Sequence, residues 1–239
     1  MRLVGLDAEA VFSHSDIQVW RKLPDRENCR LDAELPEGKR ARLHIKRYFA
    51  IASAMREVEG HRLLESAGIA TAPLVGWGRV AGRGSFVIFD DLTGYAPGDK
   101  LLEMGTRFDV LLTPTAQLAA KLHSAGLHHR DLYLCHFMAK VDVDQAELKL
   151  IDTARVKRLP GWFSRRWVVK DLAQFWYSTL KHAITDSQRR QWLAEYDRHR
   201  GLQGDNRLTR AIERKVKSIA RHDIRLHRKR PERDVSIPA

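Results

Sequence analysis

The stretch "LHHRDLYLCHF", Leu127–Phe137, decides the fold expected for this chain, together with "LKLIDTARV", which begins at Leu148. The first stretch places an Arg-Asp pair behind two histidines, and the second places Asp152 at the end of an apolar strand. A carboxylate that closes an apolar strand is costly unless it is paired or binds a metal. The two stretches therefore predict a polar site that contains Asp131 and Asp152.

The chain on the N-terminal side of these stretches predicts a small antiparallel sheet with one helix. Five runs have the extended, turn-bounded pattern of strands: 18–23, 29–35, 40–48, 72–80 and 84–92. Residues 52–67 carry a loose apolar stripe at helical spacing, with Gly68 as the expected stop. Residues 1–92 are therefore predicted to form a first lobe.

The remainder of the chain, 93–239, predicts a mainly helical second lobe. A connection punctuated by Gly and Pro leads to a helix that is expected to begin at Thr113 as N-cap, with Pro114 in its first position. The other predicted elements follow in chain order: a strand at 147–152, a helix at 169–183 and a mostly helical segment at 193–220. The fold class is therefore α+β with two lobes.

The order of the polar residues is that of phosphoryl transfer from a nucleotide. This reaction needs a cation on the phosphates that are not transferred, a carboxylate that holds Mg²⁺ and a second carboxylate at the acceptor hydroxyl. Lys46 is predicted to reach the phosphates of ATP, and Glu57 to pair with it. Asp131 is the candidate catalytic carboxylate, and Asp152 is the candidate ligand of Mg²⁺.

Three residues are predicted to support this site without touching the reacting atoms. His129 would pack beneath the loop, and Arg130 is placed in the same structural role. Asp171 would cap its helix and accept hydrogen bonds from the backbone of the loop. A simpler interpretation exists for several of these residues, since Lys46 lies among arginines, Glu59 is a rival to Glu57, and Asp171 would serve as an N-cap alone.

These motifs resemble the Kdo/WaaP and InaA group of lipopolysaccharide kinases, a branch of the protein-kinase-like superfamily. The resemblance rests on "HHRDLYLCHFM", "LKLIDTARV" and "RRWVVKDLAQFWYS", and it extends from about Ala41 to Leu180. It implies a bilobal kinase-like fold and ATP-dependent phosphorylation of a sugar hydroxyl in the inner-core heptose region. It also implies Asp131 as the catalytic base and Asp152 as the metal ligand.

The chain departs from standard protein kinases at three points. His136 stands five residues beyond Asp131, where those kinases have Asn, and imidazole prefers softer metals than Mg²⁺. His136 is therefore a candidate metal ligand, a hydrogen-bond partner of Asp131 or a packed structural imidazole. Asp152 is followed by "TA" instead of "FG", and the segment "KLPDREN" between the first two strands has no glycine for a phosphate loop.

Basic residues are concentrated in two segments, one after Asp152 and one near the C-terminal end of the sequence. Five basic residues follow the second motif and are candidates for binding an acidic or phosphorylated sugar: Arg155, Lys157, Arg158, Arg165 and Arg166. Residues 207–233 hold eleven Lys or Arg against three Asp or Glu. This basic tail is expected to rest on an anionic membrane surface, and no recognition motif for nucleic acid accompanies it.

Composition narrows the class of protein further. The chain of 239 residues is 44% apolar and carries a formal charge of +12, which suits a globular protein with polyanionic partners. It has no run of 18 apolar residues, so we expect it to stay in the cytoplasm. Cys29 and Cys135 are too few for a disulfide framework and are expected to be reduced thiols.

Two alternatives to a lipopolysaccharide kinase remain open at this point. One is a small-molecule or protein kinase of the same fold, because a fold does not choose its acceptor. The other is a non-catalytic, InaA-like stress protein that binds anionic lipid through the tail. The presence of Lys46, Asp131 and Asp152 together argues against the second alternative.

Overall fold

A computed structural model describes residues 7–34, 40–161, 164–202, 204 and 206–229. The chain forms two compact units. The first comprises Met1–Leu63, Thr71–Thr93 and Thr153–Arg155, and the second comprises Leu64–Ala70, Gly94–Asp152 and Val156–Ala239. The predicted α+β class is confirmed, with an antiparallel sheet in the first unit and mainly helices in the second. The division of the chain after Leu92 stays a prediction.

The first unit is built on an antiparallel sheet of five strands in the order β1-β2-β3-β5-β4. The strands are β1 (Gln18–Lys22), β2 (Arg26–Glu34), β3 (Arg40–Tyr48), β4 (Leu74–Val80) and β5 (Gly84–Asp90). Strand β2 begins earlier than the sequence predicts, because Arg26 pairs with Tyr48 at the end of β3. All five predicted strands are therefore present.

The two faces of this sheet are covered by different helices. One face packs with the short helix α1 (Ala10–Ser13) around a core that includes Leu43 and Ile45. The other face packs Tyr48 against α2 (Ser53–Ser66). Because side chains alternate along a strand, Lys46 lies on the same face as Tyr48, toward α2.

Helix α2 buries one stripe that includes a carboxylate. Its buried residues Ala54, Glu57, Val58 and His61 have the spacing of a single helical face. Gly60 lies against the backbone of Thr153, and a Cβ at this position would lie 1.9 Å from Thr153 O. The close approach of the two backbones therefore requires glycine at position 60.

The second unit consists of helices and two small sheets. Its helices are α3 (Gly98–Glu103), α4 (Phe108–Ser124), α5 (Ser164–Thr179), α6 (Asp186–His199) and α7 (Asn206–Lys229). Its strands are β6 (Ala96–Pro97), β7 (Leu127–His128), β8 (Phe137–Asp142), β9 (Gln145–Leu150) and β10 (Lys157–Arg158). Strands β6, β8 and β9 form one antiparallel sheet, and β7 pairs with β10.

The predicted start of the helix at Thr113 and Pro114 is wrong. Helix α4 begins at Phe108, and Pro114 lies inside it. The first turn buries Phe108 and Leu111, so apolar packing outweighs the backbone hydrogen bond that proline removes. The hydroxyl of Thr115 donates to Leu111 O at 2.6 Å, which gives this carbonyl a side-chain donor beside the proline.

Other element boundaries also differ from the predictions. Helix α5 begins at Ser164 and not near residue 169. The segment predicted as mostly helical from residue 193 contains a break, because α6 ends at His199 and Gly201 has a positive φ of 65°. The sequence analysis does not predict strand β8 or helix α3. The partly exposed positions of β8 give a weak strand pattern, and α3 is only six residues long.

No helix in the part of the chain that the structure describes is long and apolar enough to span a membrane. Both cysteines are buried and unpaired with each other, as the sequence predicts.

Candidate active site

The loop after β7 carries Asp131 and has an unusual backbone. Arg130 has a φ of 67°, in the left-handed region, which costs a non-glycine residue roughly 1–2 kcal/mol. The conformation is held by Asp171, whose carboxylate accepts hydrogen bonds from His129 N at 2.7 Å and from Arg130 N at 2.8 Å. A strained backbone at this point is typical of a functional loop whose neighbours fix its geometry.

One face of α5 receives the loop. Three polar residues on this helix accept hydrogen bonds from backbone amides along the loop: Asp171, Gln174 and Ser178. Gln174 Oε1 accepts from Leu132 N at 3.3 Å, and Ser178 Oγ accepts from Leu134 N at 3.0 Å. Their spacing of three and four residues places all three on one side of the helix. Gln174 also donates to Asp131 Oδ1 at 3.4 Å.

Asp171 lies in the middle of α5, so the prediction that it caps its helix is wrong. Its side chain is fully buried, and His123 Nε2 lies 3.4 Å from Asp171 Oδ2. Burial by itself would raise the pKa of Asp171, but the hydrogen bond and charge of His123 and the bond from His129 N hold this pKa below its usual value. The charged carboxylate is thus the form that the fold stabilises.

The register of one hairpin brings His136 and Asp152 together. Phe137 at the start of β8 pairs with Leu150 at the end of β9, so His136 and Asp152 flank the same end of the hairpin. His136 Nε2 lies 3.7 Å from Asp152 Oδ2. Asp152 has a φ of 63°, which is also in the left-handed region. The left-handed backbone at Asp152 thus occurs where its carboxylate lies close to His136.

A three-residue cluster results from this arrangement. Ligand atoms of Asp131, His136 and Asp152 all lie within 4.8 Å of one another. His136 Nδ1 lies 2.6 Å from Asp131 O. Because a carbonyl oxygen only accepts hydrogen bonds, Nδ1 is the donor in this contact, and Nε2 is the ring nitrogen that faces Asp152. Two carboxylates and one imidazole nitrogen suit a divalent cation such as Mg²⁺ or Mn²⁺.

His129 connects the loop to the strand that precedes Asp152. Its imidazole is fully buried, and Nε2 donates to Ile151 O at 3.0 Å. Burial lowers the pKa of His129, so the ring is neutral in the folded chain. Ile151 N in turn donates to His136 O at 3.0 Å. These two contacts fix the spacing between the loop and the end of β9.

In the first unit, Lys46 pairs with Glu57. Lys46 Nζ lies 2.6 Å from Glu57 Oε1, and the Glu57 side chain is 1% exposed. Tyr48 Oη donates to the same oxygen at 2.9 Å, and Thr153 Oγ1 donates to Glu57 O at 2.8 Å. Glu59, the rival in the sequence, is exposed. Lys46 thus projects from β3 with its ammonium group held by a buried carboxylate.

The turn between the first two strands is tight and contains no glycine. Leu23 N donates to Arg26 O at 2.8 Å and closes the turn. A glycine-rich loop that would wrap the phosphates is therefore absent from this hairpin, as the sequence predicts.

The five basic candidates for substrate binding do not form one cluster. Arg165 and Arg166 line a groove beside Arg130. Lys157 and Arg158 are exposed on β10, outside that lining, and Arg155 is exposed in a short 3₁₀ turn of the first unit. Trp162, in the same segment of the sequence, lies outside the described residues.

Several residues of this site have no simple sequence signal. Gln174 and Ser178 stand in a helix rich in aromatics, and only their three-four spacing from Asp171 distinguishes them. Arg214 and Lys215 of α7 line the same groove as Arg165 and Arg166. Their spacing along α7 was visible in the sequence, but their neighbours on α5 were not.

Comparison with known proteins points to one family. Residues 38–196 match the model of the lipopolysaccharide kinase (Kdo/WaaP) family. Over 210 residues, the chain is 26% identical to the lipopolysaccharide core heptose(I) kinase WaaP of Pseudomonas aeruginosa, covering 76% of this chain and 77% of that protein. The protein of the same name from Escherichia coli K12 is 27% identical over 210 residues, which cover 76% of this chain and 78% of that protein.

Proposed function

Since this chain belongs to the Kdo/WaaP family of lipopolysaccharide kinases, we propose that it transfers the γ-phosphoryl group of ATP to a sugar hydroxyl in the heptose region of the lipopolysaccharide core. The predicted enzyme class, a phosphotransferase with an alcohol group as acceptor, follows from family membership. The observation that carries the proposal is the cluster of Asp131, His136 and Asp152 at the end of one hairpin.

Asp131 is the residue that we assign to the acceptor hydroxyl. Its carboxylate lies on a loop whose backbone amides are bound by Asp171, Gln174 and Ser178. The carboxylate orients the hydroxyl and accepts its proton as the oxygen attacks phosphorus. The hydrogen bond from Gln174 holds one oxygen of this carboxylate in place.

Asp152 and His136 are the residues that would hold the metal together with an oxygen of Asp131. When bound, Mg²⁺ would neutralise charge on the phosphate oxygens of ATP. The carbonyl of Asp131 accepts a hydrogen bond from His136 Nδ1 and so orients the ring, with Nε2 as the nitrogen that would bind the metal. His129 supports the same geometry from beneath the loop through Ile151 O.

Lys46 is assigned to the phosphates that are not transferred. Its pairing with buried Glu57 keeps the side chain extended along the face of the sheet. This pairing matches the role that phosphoryl transfer from ATP requires of a lysine and a glutamate. The tight turn without glycine predicts a modest affinity for the nucleotide, since the backbone amides approach the phosphates less closely.

Lipopolysaccharide, the substrate named for the relatives, contains lipid, and helix α7 offers a basic surface that could contact an anionic membrane. Its outward cations Arg210, Lys217 and Arg221 are exposed, while Leu208 and Ile212 pack into the unit. Each such cation near an anionic leaflet contributes about 1 kcal/mol of binding. We therefore place the chain in the cytoplasm, in peripheral contact with the inner membrane.

The experiment is transfer of labelled phosphate from ATP to lipopolysaccharide with a truncated core, compared with peptide pools. We expect transfer to the core and none to peptides. Asp131→Asn should lower kcat by about 10²–10⁴-fold and leave nucleotide binding intact. Asp142→Asn, an exposed carboxylate on β8, is the matched control and should retain activity. Transfer to peptides alone, or full activity of the Asp131 variant, would contradict the proposal.

A further inference from the structure

A cationic groove of about 690 Å³ lies between α5 and α7 in the second unit. Six of its lining residues are positively charged: Arg130, Arg165, Arg166, Lys170, Arg214 and Lys215. None of the described residues that line it is acidic. Like charges gathered in a concave surface repel one another and concentrate the field inside it, so the groove attracts anions.

Residues on one face of α7 form one wall of the groove. Ala211, Arg214, Lys215 and Ser218 line the groove at the spacing of a single helical face. The small side chains of Ala211 and Ser218 leave space about one helical turn before and one turn after the two cations. The neighbouring stripe of α7, with Leu208, Ile212 and Val216, is buried. Packing of the apolar stripe therefore holds Arg214 and Lys215 toward α5.

The groove reaches the catalytic loop through Arg130. Its guanidinium lies 4.6 Å from the centre of the Trp167 ring, and its Nε atom is buried without a hydrogen-bond partner. Lys170 Nζ donates to Arg130 O at 2.8 Å, so the other wall of the groove is tied to the same residue. Asp131 follows directly, with its Cα about 3.8 Å from that of Arg130.

We propose that this groove binds the carboxylate or phosphate groups of an anionic acceptor saccharide and so anchors the acceptor beside Asp131. The inference rests on the proposed function and adds a substrate-binding subsite to it. The volume lies within the range of sites for small ligands, and guanidinium groups suit the geometry of carboxylate and phosphate groups. A flat membrane surface would contact the outward cations of α7 more readily than those inside a groove.

The test measures binding without turnover. Core oligosaccharide, freed of its lipid, is titrated into the full chain by calorimetry in the absence of ATP. The double variant R214Q/K215Q should bind at least about 10-fold more weakly, because it loses two charge-assisted contacts. The matched control K217Q/R221Q removes the same charge from the same helix outside the groove and should bind as the unaltered chain does. Arg166→Gln tests the α5 wall if the double variant fails to fold.

Two modified oligosaccharides identify the anionic group. Dephosphorylated core and core with methylated carboxyl groups should each be compared with intact core, and the form that loses affinity names the group bound. Equal affinity of R214Q/K215Q and the unaltered chain, equal weakening by both double variants, or no binding of intact core would overturn the inference. So would loss of binding to phosphatidylglycerol vesicles by R214Q/K215Q while binding of core is unchanged. Binding that follows this pattern in a chain that transfers no phosphate would refute the proposed function alone.

Discussion

Gln174 Nε2 donates a hydrogen bond of 3.4 Å to Asp131 Oδ1, while Oε1 of the same side chain accepts one of 3.3 Å from Leu132 N. One buried amide thus orients the proposed catalytic carboxylate and also binds the backbone that follows it. Gln174 is a positioning residue, because it acts on the substrate only through Asp131.

Replacing Gln174 with leucine, next to a control at Ser178, should separate the effect on the orientation of Asp131 from the effect on stability. Gln174→Leu leaves Leu132 N without its acceptor, which should lower the free energy of unfolding by about 1–3 kcal/mol. A misplaced Asp131 should lower kcat by roughly 10- to 100-fold. Ser178→Ala is the control, since it removes the acceptor of Leu134 N but does not contact Asp131. Equal kcat in the two variants, measured by steady-state kinetics, would show that Gln174 has no positioning role.

The pair formed by Lys46 and Glu57 makes a second prediction. Glu57→Ala removes the partner of a largely buried ammonium group, and breaking such a pair costs roughly 3–5 kcal/mol. Lys46 keeps 21% of its side-chain surface exposed, so we expect a loss at or below the lower end of that range. The KM for ATP should rise as well. Glu59→Ala, on the exposed side of the same helix, should change neither quantity. An unchanged KM for ATP in a folded Glu57 variant would remove Lys46 from the nucleotide site.

His136 predicts the metal preference of the enzyme. Its ring lies in the cluster with Asp131 and Asp152, and in the sequence it stands five residues beyond Asp131, where standard protein kinases have Asn. Imidazole favours Mn²⁺ over Mg²⁺ relative to an oxygen ligand. His136→Asn should therefore lower the ratio of the rate with Mn²⁺ to the rate with Mg²⁺. The exposed His222 on α7 offers a control in His222→Asn. The same ratio in both variants would mean that His136 does not contact the metal.

The paired residues of the first unit could be predicted from local pattern. Alternation along β3 places Lys46 on the face that α2 covers, and the helical stripe of α2 includes Glu57. The choice between Glu57 and Glu59 needed the structure, because both are possible on an isolated helix. Only packing against the sheet shows that Glu57 is buried and Glu59 exposed.

The supporting contacts of the second unit depend on packing that the sequence does not display. Gln174 and Ser178 bind backbone amides of the loop that lies against α5, and Arg214 lines the groove that α7 forms with α5. Neither contact can be read from the sequence of one helix. The start of α4 was missed because proline is a strong local stop signal, whereas burial of Phe108 acts through distant residues. Local rules therefore predicted two residues that support the loop, His129 and Asp171, but missed Gln174 and Ser178.

Asp171 predicts how the stability of the chain depends on pH. Its pKa lies below the usual value of 3.8 in the folded chain, because hydrogen bonds to His123 and to the loop amides outweigh the effect of burial. A carboxylate with a lowered pKa contributes stability that is fully present above the pKa of the unfolded chain, about 3.9, and is lost as pH falls through the folded value.

We expect Asp171→Asn to lower the free energy of unfolding at pH 7 by about 1.5–3 kcal/mol, since the amides of His129 and Arg130 lose a charged acceptor. The difference between the two chains should stay constant from pH 7 to pH 5 and shrink below about pH 4, where the carboxylate of the unfolded chain takes up a proton while that of the native chain is still charged. Urea unfolding across this range measures it. Asp142→Asn, an exposed control, should show no such pH-dependent difference. A difference for Asp171→Asn that grows as the pH falls would mean that the buried side chain is protonated in the native chain.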